Sequence, residues 1–212
     1  DTASPAVLEA SLRRYNGKAM INSVSGKAES MAAVFPLVKR YGGVVVGLTL
    51  DERGIPQTPE ERLAVARTIV ETAETYGIPK KDVVIDVLTL AVSSDDTAAR
   101  TTLDTLAFVR KELGVHTVLG VSNVSFGLPE REQLSASFLT MSLDRGLSAA
   151  IMNPCSEKMS NALLTFRTLS GLDAACGAYI TRFGKKAGEP PAAGESQLTL
   201  EEAVEKGLSD LS

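Results

Sequence analysis

An asparagine at the end of an apolar stretch has a side chain suited to chemistry. Residues 117–121 are a predicted β-strand that runs towards Asn123, and Gly127 and Pro129 indicate a turn before the next helix. Loops that follow strands are where α/β proteins place their active sites. The Asn123 amide offers two N–H donors and one carbonyl acceptor. A purely structural role in the loop is an equal alternative, because Asn is common in turns.

Asp86 is a carboxylate within a wholly apolar segment, residues 83–88 (VVIDVL). Burying an ionised carboxylate is unfavourable unless hydrogen-bond donors surround it, and the segment contains no Lys or Arg. A ligand with paired N–H groups, such as an aminopyrimidinone ring, would satisfy this carboxylate. The alternative is that Asp86 binds backbone N–H groups of a neighbouring loop.

Polar residues stand at the ends of the other predicted strands too. In a βα barrel the carboxyl ends of all strands meet on one face, where active sites lie. These ends carry Asp1, Asn22, Asp86, Asn123 and Asn153. The set contains amides and carboxylates, and it contains no Ser–His or Cys–His pair for nucleophilic catalysis.

An arginine, a histidine and two cysteines are the other residues that could take part in chemistry. Arg131 follows the central loop and could reach back over the site, although a solvated side chain is equally consistent with the sequence. His116, Cys155 and Cys176 are too few and too separated for a metal site built by this chain, so we expect structural roles for them.

The elements that would position these residues alternate between strand and helix. Strands are predicted at residues 18–22, 43–48, 83–88, 117–121 and 149–152. Helices are predicted from Pro5 to Gly17, at about residues 29–41 with Pro36 opening the regular part, and from the Thr58 capping box to Gly77. Further helices are predicted at about residues 96–113, from the loop with Gly127 and Pro129 to about residue 144, and at about residues 157–169. In the first helix the predicted apolar stripe is Val7, Leu8, Leu12 and Tyr15.

The predicted strands are continuously apolar, which favours a parallel sheet covered on both faces. Units of roughly 30 residues suit a doubly wound sheet or an eightfold barrel. A strand is also expected before Asp1, because the first helix has none before it. We therefore predict an α/β fold, a TIM-type (βα)8 barrel truncated at its N-terminus, over residues 1–183.

The composition changes after residue 183. Residues 184–197 (GKKAGEPPAAGESQ) are rich in Gly, Pro, Ala and charge, which predicts a linker. Residues 198–212 contain a second capping box, from Thr199 to Glu202, and predict the first helix of a following module. A frayed tail is the alternative for these last residues.

The overall composition limits the classes of function. The 212 residues are 44% hydrophobic and 23% charged with a net charge of −4, so nucleic acid and anionic membranes are not expected partners. No apolar run approaches the roughly 20 residues that span a bilayer, and no signal peptide is visible. Two cysteines do not make a disulfide framework, so we predict a cytoplasmic protein.

Together the motifs resemble one family, the pterin-binding methyltransferase domains of cobalamin-dependent methionine synthase and of methyltetrahydrofolate:corrinoid methyltransferases. The resemblance covers about residues 1–180. It rests on DTxxP from Asp1, INSVSG at 21–26, VID at 84–86, GVSNVSFGLP at 120–129 and AAIMNP at 149–154. It implies an eight-stranded barrel of the kind that dihydropteroate synthase also has.

The resemblance also implies an activity. The substrate would be methyltetrahydrofolate, and its methyl group would pass to the cobalt of a reduced corrinoid (cobalamin) carried by a partner domain. Asn123 would hydrogen-bond the methyl-bearing ring nitrogen as the catalytic residue. The residues at the family's pterin-binding positions are Asp1, Asn22, Asp86, Gly120, Ser122 and Arg131. The linker after residue 183 favours a corrinoid domain in the same chain.

Three alternatives stay open. A stand-alone methyltetrahydrofolate:corrinoid methyltransferase shares the same motifs. Dihydropteroate synthase has Asp where this chain has Ser23, and a basic motif where this chain has the neutral AAIMNP, so it fits less well. An inactive pterin-binding fragment would be favoured by loss of Asn123, which is present.

Overall fold

The computed structural model describes residue 2 and residues 4–184 of the chain. In this part, five strands alternate with seven α-helices. The strands are β1 (Met20–Ser25), β2 (Val44–Leu48), β3 (Val83–Asp86), β4 (His116–Gly120) and β5 (Ala149–Ile151). The helices are α1 (Pro5–Leu12), α2 (Ala28–Tyr41), α3 (Pro59–Thr75), α4 (Ala98–Phe108), α5 (Arg131–Asp144), α6 (Glu157–Leu169) and α7 (Gly177–Phe183).

The strands form one parallel sheet in the sequential order β1-β2-β3-β4-β5. A doubly wound sheet reverses its strand order at a switch point, whereas a βα barrel adds each new strand beside the last one. The order is that of a barrel, and these five strands correspond to part of the eight in a closed one. The predicted α/β barrel fold is confirmed.

Alternation along each strand sends side chains to two different faces. Ile21, Ile85 and Leu119 face the helices and belong to the large core. Val46, Val84 and Val118 form a second buried cluster on the opposite face, which would be the barrel interior. Strands β2, β3 and β4 are mostly apolar because both of their faces are buried.

Local signals set the ends of several helices. At the start of α3, the Glu61 backbone N–H donates to Thr58 Oγ1 at 3.3 Å, and the Thr58 backbone N–H donates to Glu61 Oε2 at 3.4 Å. This capping box was predicted and is confirmed. Ser156 caps α6 in a similar way by accepting from the Met159 N–H, and α6 has the predicted bounds.

The prediction that the first helix continues to Gly17 was wrong. Helix α1 ends at Leu12, and two members of the predicted apolar stripe are exposed, Val7 at 53% and Tyr15 at 60%. Leu8 and Leu12 are buried because they lie one turn apart on the same side of α1. Tyr15 would join that stripe only if the helical turn continued, and the chain leaves helical geometry before it.

The interpretation of Pro36 was also wrong. Pro36 lies inside α2, which is already regular from Ala28. A proline within a helix cannot donate the usual hydrogen bond to the carbonyl one turn back. Here the neighbouring Phe35 and Val38 are fully buried in the core, and their packing offsets the missing bond.

The strand β5 is less covered than predicted. Ala149 and Ile151 are both exposed, although the apolar sequence suggested burial on both faces. In the described part of the chain β5 pairs with β4 alone, so its far edge and much of its surface lack neighbours.

The described residues divide into two compact units, the first of which ends at Leu172 and the second of which begins at Asp173. All described residues discussed below as site residues lie in the first unit, and α7 lies in the second. The predicted linker at 184–197 falls outside the described residues except for Gly184, and the predicted helix at 198–212 lies wholly outside them. Among the described helices, none has both the length and the apolar character needed to cross a bilayer.

Candidate active site

Asp86 is the last residue of β3 and lies on the interior face, two residues after Val84. It is 9% exposed. The Leu88 backbone N–H donates to Oδ1 at 2.9 Å, and Oδ2 has no hydrogen-bond partner within the described residues. Burial raises the pKa of Asp86 to about 6, and the Leu88 N–H acts in the opposite direction. The sequence left two roles for this carboxylate, binding a loop backbone or binding a ligand. The backbone contact occupies one carboxylate oxygen, and the other oxygen is available to a ligand.

The turn after β3 has an uncommon backbone. Leu88 has a φ of 60°, in the left-handed region that a branched side chain rarely adopts. Its carbonyl accepts from Arg62 Nη1 at 2.9 Å and from Thr102 Oγ1 at 3.0 Å. The sequence analysis did not single out Arg62, although it lies on the apolar stripe of α3, one turn before Ala66.

Asn123 lies in a 3-10 turn, Val121–Ser125, directly after β4. Its amide folds back over Gly120, because a Cβ built on Gly120 would lie 3.1 Å from Asn123 Nδ2. Gly120 follows Val118 by two residues and so faces the interior. The Asn123 side chain is exposed and makes no hydrogen bond to any described residue. Its donors and acceptor are free to bind a ligand.

The sheet register brings Asp86 and Asn123 to the same end and the same face. Asp86 is the register partner of Val118, and Gly120 lies two residues further along β4, beneath the Asn123 amide. Both side chains therefore stand at the carboxyl ends of adjacent parallel strands. Active sites of βα barrels occupy this face.

Asn22 belongs to the same face. Ile21 faces the helices and is 2% exposed, so Asn22 faces the interior, in register with Val46 on β2. Its backbone carbonyl accepts from the Thr2 N–H at 3.1 Å. Asp1, which the sequence analysis also placed at the site, lies outside the described residues.

Arg131 reaches back to the turn that carries Asn123. Its Nη2 donates to the Ser122 carbonyl at 3.0 Å and its Nε donates to Ser125 Oγ at 3.2 Å. The guanidinium carbon lies 4.3 Å from the centroid of the Phe126 ring, a cation–π contact. Arg131 thus fixes the shape of the β4 exit turn.

Ser122 and Arg131 also line a pocket of about 240 Å³ between this turn and the first residues of α5 and α6. The other lining residues are Ser125, Glu132, Ser135, Asn153, Ser156 and Met159. Asn22, Asp86, Gly120 and Asn123 do not line it, so the predicted site residues fall into two adjacent groups. Asn153 uses its Oδ1 locally, where it accepts from the Cys155 N–H at 3.0 Å.

The exit loops of β3 and β4 are joined to each other. The Val92 N–H donates to the Val124 carbonyl at 3.0 Å, and the Ser93 hydroxyl donates to the Phe126 carbonyl at 2.6 Å. The loop that follows Asp86 is thereby tied to the loop that contains Asn123.

Potential metal ligands are sparse in the described part of the chain. No group of three or more His, Cys, Asp or Glu side chains is placed there to hold a metal ion. Cys155 and Cys176 are exposed free thiols. The side chains that the structure does bring together are an anionic carboxylate and amides, which recognise polar heterocycles by hydrogen bonding.

Comparison with known proteins identifies the family. Residues 1–153 match the model of the pterin binding enzymes. The chain belongs to this family. It is 29% identical over 186 residues to the methylcorrinoid:tetrahydrofolate methyltransferase of Eubacterium limosum, an alignment that covers 86% of this chain and 69% of that protein.

Methionine synthases are also similar to this pterin-binding chain. It is 32% identical over 166 residues to the methionine synthase of Mycobacterium tuberculosis and 33% identical over 166 residues to that of Mycobacterium leprae. Each alignment covers 72% of this chain and 14% of the methionine synthase. The chain therefore spans a small part of those proteins. These relatives are methyltransferases, and the resemblance predicted from the motifs is confirmed.

Proposed function

We propose that this chain binds methyltetrahydrofolate and moves its methyl group to the cobalt of a reduced corrinoid. The observation that carries the proposal is the pairing of Asp86 and Asn123 at one end of the interior face. Asp86 presents an oxygen without a protein partner among the described residues, and the Asn123 amide is equally free. Family membership supplies the pterin as the ligand class.

Asp86 is suited to recognise the pterin ring. An aminopyrimidinone edge presents adjacent N–H donors, and a carboxylate accepts two of them in parallel. Asp86 is nearly buried, so each such charge-assisted bond is worth about 1.5–3 kcal/mol. In this proposal Asn22 and Asp1 contact the same ring, with Asn22 on the interior face of β1.

Asn123 is suited to the methyl-bearing nitrogen. A tertiary amine is a poor leaving group, and protonation of its nitrogen makes it a good one. The Asn123 carbonyl cannot deliver that proton, but it accepts a hydrogen bond from the protonated nitrogen. It thereby stabilises charge that appears on the way to the transition state.

The methyl transfer itself is an in-line displacement. The electron pair of the reduced cobalt forms the new bond to the methyl carbon, and the pair of the broken carbon–nitrogen bond stays on the nitrogen. The corrinoid is a second substrate presented by a partner domain, and the barrel supplies placement and a polar contact. Gly120, Ser122 and Arg131 hold the turn around this contact.

Two architectures remain candidates for the whole protein. We favour a folate domain of a cobalamin-dependent methionine synthase with the corrinoid domain in cis, in which residues 184–197 form a linker and residues 198–212 begin the next module. A stand-alone corrinoid methyltransferase is the second candidate. The Eubacterium limosum relative supports it, because that alignment includes 86% of this chain. The exposed free thiols of Cys155 and Cys176 fit a reducing, cytoplasmic location.

Two measurements test the proposal. Isothermal titration calorimetry should detect binding of methyltetrahydrofolate to the chain. In a single-turnover reaction with reduced free corrinoid, transfer of the methyl group should appear as a change in the absorbance of the cobalt centre. A matched titration with dihydropteroate synthase's pterin substrate should show weaker binding. Absence of methyltetrahydrofolate binding by a folded sample would contradict the proposed function.

A further inference from the structure

Arg62 is the largest fully buried side chain in the described part of the chain, with 1% of its surface exposed. Burial lowers the pKa of Arg62, and the nearby charge of Asp95 partly compensates. A buried cation normally forms a hydrogen-bonded ion pair with a carboxylate. Within the described residues Arg62 forms none, and its donors go to backbone carbonyls instead.

Those carbonyls belong to two loops at the carboxyl end of the sheet. Arg62 Nε donates to the Pro56 carbonyl at 2.8 Å, and Nη1 donates to the carbonyls of Val87 and Leu88 at 3.1 and 2.9 Å. Thr102 Oγ1 also lies 3.0 Å from the Leu88 carbonyl, and it shares its one hydroxyl proton between this carbonyl and that of Ala98 at 2.9 Å. The peptide units on both sides of the Leu88 α-carbon are therefore held from the helix side.

This turn determines what Asp86 can do. Leu88 is left-handed, a conformation that persists in a non-glycine residue only where its surroundings impose it. The Leu88 N–H belongs to the same peptide unit as the Val87 carbonyl that Arg62 holds, and it donates to Asp86 Oδ1 at 2.9 Å. That bond fixes one carboxylate oxygen and so sets the direction of the other.

We propose that Arg62 is a positioning residue for the pterin-binding carboxylate, acting through the left-handed turn at Leu88. The role of Asp86 in pterin binding rests on the function proposed above. The effect of Arg62 on the Asp86 carboxylate does not depend on that function, and it is measurable in the ligand-free protein.

The guanidinium shape explains why this position needs Arg. Its planar fork directs Nε to one loop and Nη1 to the other at the same time. A Lys keeps the positive charge but has a single donor group, so it cannot hold both loops in this geometry. Arg62→Lys should therefore free the turn without removing charge from the core.

The expected change has a definite sign. The charged group near Arg62 is Asp95. The carboxylate of Asp86 accepts from the Leu88 N–H of its own loop, and its register partners on the adjoining strands are the apolar residues Leu48 and Val118. No described cation contributes to the pKa of Asp86. If the Leu88 N–H turns away, the carboxylate loses its hydrogen bond and its pKa rises further.

The test titrates Asp86 directly in the full 212-residue chain. Carbon-13 NMR of labelled aspartate side chains, with the Asp86 signal assigned by its loss in Asp86→Asn, should give a wild-type midpoint of about 6. We expect Arg62→Lys to move this midpoint upward by about half a pH unit or more, since the lost bond is one neutral N–H donor. Arg67→Lys is the matched control, because Arg67 lies on the same helix and pairs on the surface with Glu112, and it should leave the midpoint unchanged.

A second variant keeps the test decisive if Arg62→Lys does not fold. Thr102→Val removes the hydroxyl that the Leu88 and Ala98 carbonyls share, with little change in shape, and it should move the midpoint in the same direction by a smaller amount. At about pH 8, methyltetrahydrofolate binding by Arg62→Lys should weaken by about threefold to tenfold. A folded Arg62→Lys or Thr102→Val protein with an unmoved Asp86 midpoint would overturn the positioning role. If the wild type does not bind folate while Arg62→Lys still shifts the Asp86 midpoint, only the proposed function is overturned.

Discussion

The Asn123 side-chain amide occupies the space that a side chain on Gly120 would need, with Nδ2 only 3.1 Å from the position of a Cβ there. Gly120 has a φ of −76°, which any residue adopts. Glycine at this position is therefore explained by room for the neighbouring amide and not by backbone conformation. This relationship makes position 120 a sensitive probe of Asn123.

Gly120→Ala should displace the Asn123 amide by a few tenths of an ångström while the fold stays intact. We expect methyl transfer to slow by about tenfold or more, because catalytic contacts are sensitive to displacements of this size. The free energy of unfolding should change by less than about 1 kcal/mol. Single-turnover rates and urea unfolding measure the two effects. Adding Gly120→Ala to Asn123→Ala should slow the reaction no further, and additive losses would contradict the link between the two residues.

Asn123→Ala should lower the methyl-transfer rate more than it weakens folate binding. In the proposed mechanism the carbonyl contact strengthens as charge develops on the nitrogen, so a barrier increase of about 2–4 kcal/mol is expected. Asn123→Asp retains an acceptor but loses the NH₂ donors, and it should keep more activity than Ala. The readout is cobalt absorbance in a single turnover at saturating folate. Equal rates for wild type and Asn123→Ala would assign Asn123 a purely structural role in the turn.

Asp86→Ala should weaken methyltetrahydrofolate binding by about 1–3 kcal/mol, the range for loss of a charged hydrogen bond. Calorimetry at about pH 8, where the carboxyl is ionised because its pKa is about 6, gives the affinity directly. Asp144→Ala, at the exposed last residue of α5, is the matched control and should bind like wild type. Unchanged affinity in Asp86→Ala would remove this carboxylate from the binding site.

The raised pKa of Asp86 also predicts how stability depends on pH. The folded-state pKa of about 6 exceeds the unfolded value of about 3.9, so the carboxyl stabilises the fold most at low pH and this contribution is lost as the pH rises through 6. Asp86→Asn stays neutral throughout. It should be more stable than wild type by about 2–3 kcal/mol at about pH 8, with the difference shrinking towards about pH 4.

Urea unfolding of both proteins across this pH range measures that difference. Asp86→Asn should gain stability at neutral pH while it loses folate affinity, which is the pattern expected of a residue retained for binding. A constant stability difference across the range would show that the Asp86 carboxyl titrates at an ordinary value in the folded protein.

Much of the fold could be predicted from sequence, because its signals are local. Apolar runs marked all five strands to within a few residues, and the capping box at Thr58 marked the start of α3. Pro36 misled because its local preference to begin a helix was overridden by the burial of Phe35 and Val38. The prediction for Tyr15 failed because helical periodicity predicts which side chains are buried only while the helix continues, and α1 ends at Leu12.

The site was partly predictable for a related reason. The strand patterns showed where Asp86 and Asn123 would stand, since alternation and register follow from them. Asn22 was expected at the end of its strand, but β1 continues to Ser25 and places Asn22 as its third residue, on the interior face. The left-handed turn at Leu88 carries no sequence signal of the Gly or Asn kind. Arg62 did have a sequence signal, because it shares the buried stripe of α3 with Ala66 and Ile69. Its charge argues against burial, however, unless the backbone carbonyls that accept its hydrogen bonds are known.

The two bonds between the β3 and β4 exit loops bear on the thermodynamics of ligand capture. A ligand that must order its own loops loses conformational entropy on binding. Here Val92 and Ser93, in the β3 exit loop, already donate hydrogen bonds to the carbonyls of Val124 and Phe126 in the β4 exit loop. In the proposed function, methyltetrahydrofolate would bind between loops that are already ordered, so little loop closure should accompany its association. Ser93→Ala would remove the bond to the Phe126 carbonyl, so part of the loop would become ordered only when the ligand binds. Calorimetry should then show a more unfavourable entropy of association.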